Sequence, residues 1–169
     1  MEFGVLNALP YVNLNEDFKQ DWSVNLDNVF TDIDGELEYS AELSDASIVD
    51  MSIALNMLTL EAIENQNGVT EMVVTAMNPM RESVTDTVMI TIQAINDAPV
   101  MDAIPDTIIN EDQEVVIALS GSDVDGDDLS YVVEPVEYID SYLSGDGTLL
   151  NLVPEPDWFG EVDIVVNVL

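Results

Sequence analysis

Thr87-Val88-Met89-Ile90-Thr91-Ile92-Gln93-Ala94-Ile95, running straight into Asn96-Asp97-Ala98-Pro99, is the stretch on which the reading of the fold turns. Its first nine residues place apolar side chains at every second position, the pattern of a β-strand with one buried face. The pattern then stops. Asn96 and Asp97 turn the backbone and accept hydrogen bonds, and Pro99 cannot donate to a sheet ladder, so the strand ends in a short, stiff connector. That connector also sets an amide oxygen and a carboxylate at a seam, and hard cations favour such ligands.

Working outward, the same seam occurs earlier in the chain. Leu6-Asn7-Ala8-Leu9-Pro10 lies over Ile95-Asn96-Asp97-Ala98-Pro99, Asn15-Glu16-Asp17 over Asn110-Glu111-Asp112, and Asp32-Ile33-Asp34-Gly35 over Asp123-Val124-Asp125-Gly126. From Pro10 to Pro99 is 89 residues and from Asp34 to Asp125 is 91. Three matches in one order at one period make a tandem repeat.

In the first repeat, strands are expected near Trp22–Asn28, Leu37–Leu43, Ser47–Ile53, Met57–Ile63, Glu71–Met77 and Thr87–Ile95. In the second they are expected at Glu114–Leu119, Leu129–Val133, Tyr138–Leu143, Thr148–Val153 and Val162–Val168. Ser144-Gly145-Asp146-Gly147 reads as a tight hairpin turn. Short alternating runs broken by Asp, Asn, Gly and Ser point to an all-β Greek-key sandwich in each repeat, and no segment keeps a helical period.

Nothing after Val168 corresponds to Thr87–Ile95, so the second sandwich lacks its last strand in this chain. The expected division is 1–8 as the end of a preceding strand or linker, 9–97 as domain 1 and 98–169 as an incomplete domain 2. The chain reads as an internal piece of a longer protein. An alternative expectation is that Phe3–Asn7 completes the second domain of another molecule by strand addition and so builds a fibre.

Charge bounds the partners. With 35 Asp and Glu against 2 Lys and Arg and no His, the net charge is -33. That excludes nucleic acid or an anionic membrane as the main partner and calls for cations. Residues from Ala98 onward carry 17 acids and no base, residues 1–97 carry 18 acids and 2 bases, so neither half is an acidic tail. There is no Cys, hence no disulfide, zinc-thiolate site or cysteine nucleophile. No run approaches the 18 or more apolar residues of a membrane span, and Met1-Glu2-Phe3-Gly4 lacks the basic start of a signal peptide.

The motifs Asn15-Glu16-Asp17, Asp32-Ile33-Asp34-Gly35, Asn96-Asp97-Ala98-Pro99, Asn110-Glu111-Asp112, Asp123-Val124-Asp125-Gly126-Asp127 and Pro154-Glu155-Pro156-Asp157-Trp158-Phe159-Gly160 together resemble tandem bacterial cadherin-like repeats, of the dystroglycan-type and related families of surface proteins. The resemblance implies two tandem cadherin- or Ig-like β-sandwiches and calcium as the cofactor. Carried over, it implies Glu16, Asn96, Asp97, Asp123 and Asp125 as metal ligands, a set that suits calcium's preference for six to eight oxygens.

Departures weaken the set. Ala94 stands where the cadherin linker has a further Asp, the Asn that follows the Asp is missing, Glu64-Asn65-Gln66-Asn67 offers mostly neutral oxygens, and Ala8 replaces the Asp at the leading junction. One calcium at most is expected at the 96–97 junction, with an affinity on the order of 10⁻⁴–10⁻³ M. Asp-x-Asp-Gly can equally form an Asx turn that satisfies backbone N–H groups, and that reading stands beside the metal site. Asp123–Asp128 also has an EF-hand's opening acids, but its Gly falls at the fourth position rather than the sixth and helical flanks are absent.

Trp22 and Trp158 are expected to pack in the core rather than stack on sugars. Without His or Cys most acid-base and nucleophilic constellations are unavailable, and no enzyme is expected. Lys19 and Arg81 are too few for a phosphate site. The function expected is a calcium-stiffened structural or adhesive module of a bacterial secreted or cell-surface protein. Its partners would be neighbouring cadherin-like domains or identical subunits, with no membrane insertion. The alternative is a carbohydrate-binding module of a polysaccharide-degrading system, marked by an exposed aromatic platform on one sheet.

Overall fold

A computed structural model describes residues 3–17, 22–33 and 35–169. Asp34 and Lys19, singled out above, lie outside the described residues. The chain divides into two compact units, 1–95 and 96–169, so the division falls after Ile95.

The first unit is a two-sheet sandwich. One sheet has the order β2-β9-β8-β5, with β2 Val12–Asn15, β5 Glu38–Leu43, β8 Gly68–Met77 and β9 Ser83–Gln93. The other has the order β3-β7-β6, with β3 Trp22–Asn25, β6 Val49–Ala54 and β7 Met57–Ala62. The period-2 pattern explains the layers. Met72, Val74 and Ala76 on β8 and Val88, Ile90 and Ile92 on β9 all turn inward and are buried against Leu58, Leu60 and Val49 of the facing sheet. Each of the Met, Val, Ile and Leu side chains contributes about 1.5–3 kcal/mol of burial. β9 is the central element, pairing antiparallel with β8 from Ser83 to Ile92 and parallel with β2 from Ile90 to Gln93.

The strand expected at Trp22–Asn28 is shorter than the sequence pattern suggests. After Asn25 the chain enters a 3₁₀ turn, Leu26–Asn28, because the Asn25 side chain accepts from the Asp27 N–H and draws the backbone out of the sheet. The chain's opening residues also have a place of their own. β1, Gly4–Val5, pairs with β4, Phe30–Thr31, and the Leu6 and Asn7 N–H groups donate to the Val29 carbonyl. Phe3–Asn7 is therefore bonded within the first unit, and donating it to another molecule would break these contacts. Strands this short escape a period-2 search.

The second unit repeats the plan in reduced form. β11 Val115–Ala118, β15 Leu149–Pro154 and β14 Ile139–Leu143 form one sheet in the order β11-β15-β14. β13 Tyr131–Val133 pairs with β16 Val166–Val168 as the other, and β10 Val100–Met101 pairs with β12 Gly121–Ser122. Gly121 is required there, since a Cβ would sit 2.6 Å from the Val100 carbonyl oxygen. The hairpin predicted at Ser144–Gly147 joins β14 to β15, with Gly147 at φ 76. The second unit has no counterpart of β9, as its sequence predicts. Its fully buried apolar core is four residues, Leu119, Ile139, Leu150 and Leu152, against sixteen among the described residues of the first.

Candidate functional site

Asn15-Glu16-Asp17 stands where β2 leaves its sheet. The Glu16 N–H still donates to the Gln93 carbonyl, and Asp17 then takes a left-handed φ of 64. This folds the Glu16 side chain inward, where it is 1% exposed. Its Oε1 accepts from the Ile95 N–H at 2.9 Å, and Asn67 Nδ2 lies 3.5 Å from Oε2. Hydrogen bonds to a charged group contribute about 1.5–3 kcal/mol. Glu16 thus fastens the exit of β9.

Asp17 holds a second point, accepting from the Asn65 N–H at 2.8 Å. The second repeat preserves this half of the motif. Asp112, at φ 61, accepts from the Asp157 N–H at 3.2 Å. Asn65 and Asp157 both have left-handed φ, 57 and 61. The Asn-Glu-Asp motif is therefore a clamp on the loop that precedes the penultimate strand, a role its sequence does not announce. Glu111, in the place of Glu16, is exposed.

Asp123-Val124-Asp125-Gly126 forms the Asx turn that its composition allows. Asp123 Oδ1 accepts from the N–H groups of Asp125 at 2.8 Å and Asp127 at 3.3 Å, and Gly126 closes the turn with φ 81. Asp125 Oδ2 in turn accepts from the Asp97 N–H at 2.6 Å. The structure thus brings Asp97, Asp123 and Asp125 together in the second unit. Asn96 is exposed beside them and donates through Nδ2 to the Asp97 carbonyl at 2.7 Å. Glu16 belongs to the first unit. The donors are all oxygen, as calcium prefers, but the carboxylates are spent partly on backbone N–H groups. Among the described residues no group of three or more His, Cys, Asp or Glu is arranged to hold a metal ion.

The first unit also has a polar cleft lined by Asp27, Asp32, Glu36, Tyr39 and Asn56 among others. Tyr39 donates to Asp27 Oδ1 at 2.9 Å, and Asn56 Nδ2 lies 3.2 Å from both Asp27 oxygens. Burial first, then the Asp27 carboxylate, pushes the Tyr39 hydroxyl above its ordinary pKa of 10.0. Asp27, Tyr39 and Asn56 thus satisfy one another.

Trp22 and Trp158 both pack against the apolar cores, as expected. Tyr138 stacks on Trp158 with centroids 5.5 Å apart. Phe159, next to Trp158, is by contrast 87% exposed. Among the described residues the exposed rings do not form a row on one sheet. Tyr142 is on β14, where its hydroxyl donates to Glu114, whereas Tyr11, Tyr138 and Phe159 are outside strands.

The model of a family described as bacterial Ig domain matches residues 96–168, nearly all of the second unit. Among solved structures, the chain is similar to the extracellular cadherin domains 3–6 of protocadherin gamma B2, at 16% identity over 99% of this chain and 43% of that one, with a TM-score of 0.54. It is similar too to the EC1-2 pair of human protocadherin-24, at 15% identity over 90% of this chain and 78% of that one, with a TM-score of 0.50. The chain spans 25% of the length of an endo-fucoidan hydrolase from glycoside hydrolase family 107, at 13% identity over 92% of this chain and a TM-score of 0.45. No curated protein sequence matches the chain. The architecture is that of Ig- and cadherin-like β-sandwiches.

Proposed function

We propose that the chain is a structural and adhesive repeat module of a bacterial secreted or cell-surface protein. The observation that supports this most is the succession of two Ig/cadherin-like sandwiches built on one repeat, with their polar side chains committed to turns and strand exits. The scatter of the described exposed rings, Tyr142 on β14 and Tyr11, Tyr138 and Phe159 on separate loops, favours this reading over a carbohydrate-binding module, in which aromatic faces align on a sheet to stack on sugar rings.

The finer part of the proposal is calcium. Its ligands are Asn96, Asp97, Asp123 and Asp125, all of the second unit. Two facts support it: an all-oxygen donor set, and a net charge of -33 that holds several carboxylates in one turn with a single Arg and a single Lys in the whole chain. A dication there relieves like-charge repulsion. Binding also has a structural consequence. The ion competes with the Asp97, Asp125 and Asp127 N–H groups for carboxylate oxygens, so the 123–127 turn must adjust.

Calcium titration by calorimetry tests this reading. The expected result is saturable binding with a Kd on the order of 10⁻⁴–10⁻³ M, abolished in Asp123→Ala, together with a higher melting temperature in calcium. Heats that stay at the dilution level overturn the calcium assignment. Saturable binding of a polysaccharide, independent of calcium, overturns the structural reading as a whole.

A further inference from the structure

Gly68 opens β8 at φ 142, a conformation that L side chains rarely adopt, so the position calls for glycine. The residue before it is an asparagine. Asn67-Gly68 is the one Asn-Gly pair in the sequence. In such a pair no Cβ shields the glycine nitrogen, which has a clear approach to the asparagine carboxamide carbon and closes with it into a cyclic imide.

The side chain open to this reaction has a structural task. Asn67 is exposed, between the left-handed Asn65 and β8, and its Nδ2 lies 3.5 Å from Oε2 of Glu16. Glu16 is buried, and its Oε1 accepts from the Ile95 N–H at 2.9 Å. The Asn67 amide is therefore the neighbour of the carboxylate that fastens the exit of β9. A carboxylate in its place sets two like charges side by side, one of them buried.

The repeat supplies an internal control. Asp17 accepts from the Asn65 N–H as Asp112 accepts from that of Asp157, and counting on from these partners Asn67-Gly68 lies over Phe159-Gly160. The glycine is common to both units and the asparagine is not.

The ladder restrains the nucleophile. The Asn78 N–H donates to the Glu82 carbonyl at the hairpin end of β8 and β9, and bonded pairs then recur at every second position. Gly68 with Ile92, the last pair in the register, is thus a bonded one. Its N–H is released only when the end of the ladder frays, an opening that costs far less than unfolding the unit.

We propose that Asn67 is a site of spontaneous deamidation, and that its product loosens the β9 exit of the first unit. The Gly68 nitrogen bonds to Asn67 Cγ as the Cγ–Nδ2 bond breaks, and the proton lost from Gly68 leaves with the side-chain nitrogen as ammonia. Water then opens the imide and returns a proton to the Gly68 nitrogen. Cleavage at Cγ leaves an aspartate with the ordinary backbone. Cleavage at the main-chain carbonyl leaves an isoaspartate, whose backbone runs through the side chain and is one methylene longer at the entry to β8. The balance is one water consumed and one ammonia released, with no other reactant. Either product removes the Nδ2 donor from Glu16 and adds a negative charge beside it.

The test holds the intact chain in warm, mildly alkaline buffer beside a synthetic peptide of sequence Ile63–Met72. Peptide mapping with enzymatic methylation of isoaspartate locates the product. Conversion is expected at Asn67, slower than in the peptide by about ten- to a hundredfold because of the ladder bond. In the converted chain and in Asn67→Asp, the Ile95 amide is expected to exchange at least about tenfold faster, with Leu150 of the second unit unchanged. Asn67→Ser, which has neither the amide nor a charge, is expected to abolish conversion and to disturb Ile95 much less. An Asn67 amide that survives many half-lives of the peptide overturns the proposal. Conversion to the same extent at Asn56 or Asn65 overturns it too, since neither precedes a glycine. So does conversion that leaves Ile95 exchange unchanged, because the product would then be uncoupled from β9.

Discussion

Glu16 and Glu111 hold the same place in two copies of one repeat, yet one is buried on a backbone amide and the other faces solvent. Their neighbours in sequence, Asn and Asp on either side, are identical. What differs is a strand more than seventy residues away in the first unit, β9, whose exit supplies the amide. The comparison teaches that a motif's local role and its tertiary role separate cleanly. The Asp of the motif clamps a loop in both units because that loop is present in both. The Glu is buried only where β9 is present.

The comparison can be broken first through the cores. Sixteen buried apolar residues against four imply that the second unit melts well before the first. Ile90→Ala, in the middle of β9, is expected to lower the upper transition by about 2–5 kcal/mol, because it leaves a cavity between the sheets, and to leave the lower transition unmoved. Calorimetry of the whole chain reads both at once, and a shift of the two together contradicts the independence of the units.

Glu16→Ala sharpens the contrast. It strands the Ile95 N–H in a buried setting and is expected to cost the first unit about 1–3 kcal/mol, while Glu111→Ala is close to neutral in the second. Equal costs in denaturant titrations remove the distinction between the two residues. Asp17→Ala and Asp112→Ala work the other way. Each removes one carboxylate-to-amide bond from its loop and is expected to cost its own unit about 1 kcal/mol.

The smallest effect is one of pH. Burial and the Asp27 carboxylate keep the Tyr39 hydroxyl neutral and raise its pKa above the ordinary 10.0. The folded state thus holds that proton more tightly than the unfolded chain. The stabilisation is complete below pH 10 and is lost as the pH rises beyond it. Tyr39→Phe is expected to flatten the alkaline fall in the first unit's stability, and to leave the second unit's unchanged.

Much of this architecture was legible in the sequence because its signals are local and periodic. The alternation in Thr87–Ile95 marks β9, the Ser144–Gly147 turn marks a hairpin, and the repeat period marks two copies of one sandwich. Shorter elements were not legible. Gly4–Val5 and Phe30–Thr31 are two residues each, too short for any period, and exist because each pairs with the other. The site was legible in part. Asp97, Asp123 and Asp125 lie together in the second unit, where the Asp123 and Asp125 carboxylates accept backbone N–H groups. Asp-x-Asp-Gly has the same letters in a turn and in a metal site, and only coordinates show which donors reach the oxygens. The clamp made by Asp17 and Asp112 had one usable signal, an acid at the same repeat position in both copies, 95 residues apart.

The account stands most directly on the unequal cores of the two units, and residue-resolved amide hydrogen exchange on the whole chain measures the difference. Leu150 and Leu152 on β15 are predicted to exchange through an opening of lower free energy than Met72, Val74 and Ala76 on β8, which exchange only on unfolding of the first unit. Equal protection of the two sets would contradict it, since the smaller core would then hold its unit as firmly as the larger one.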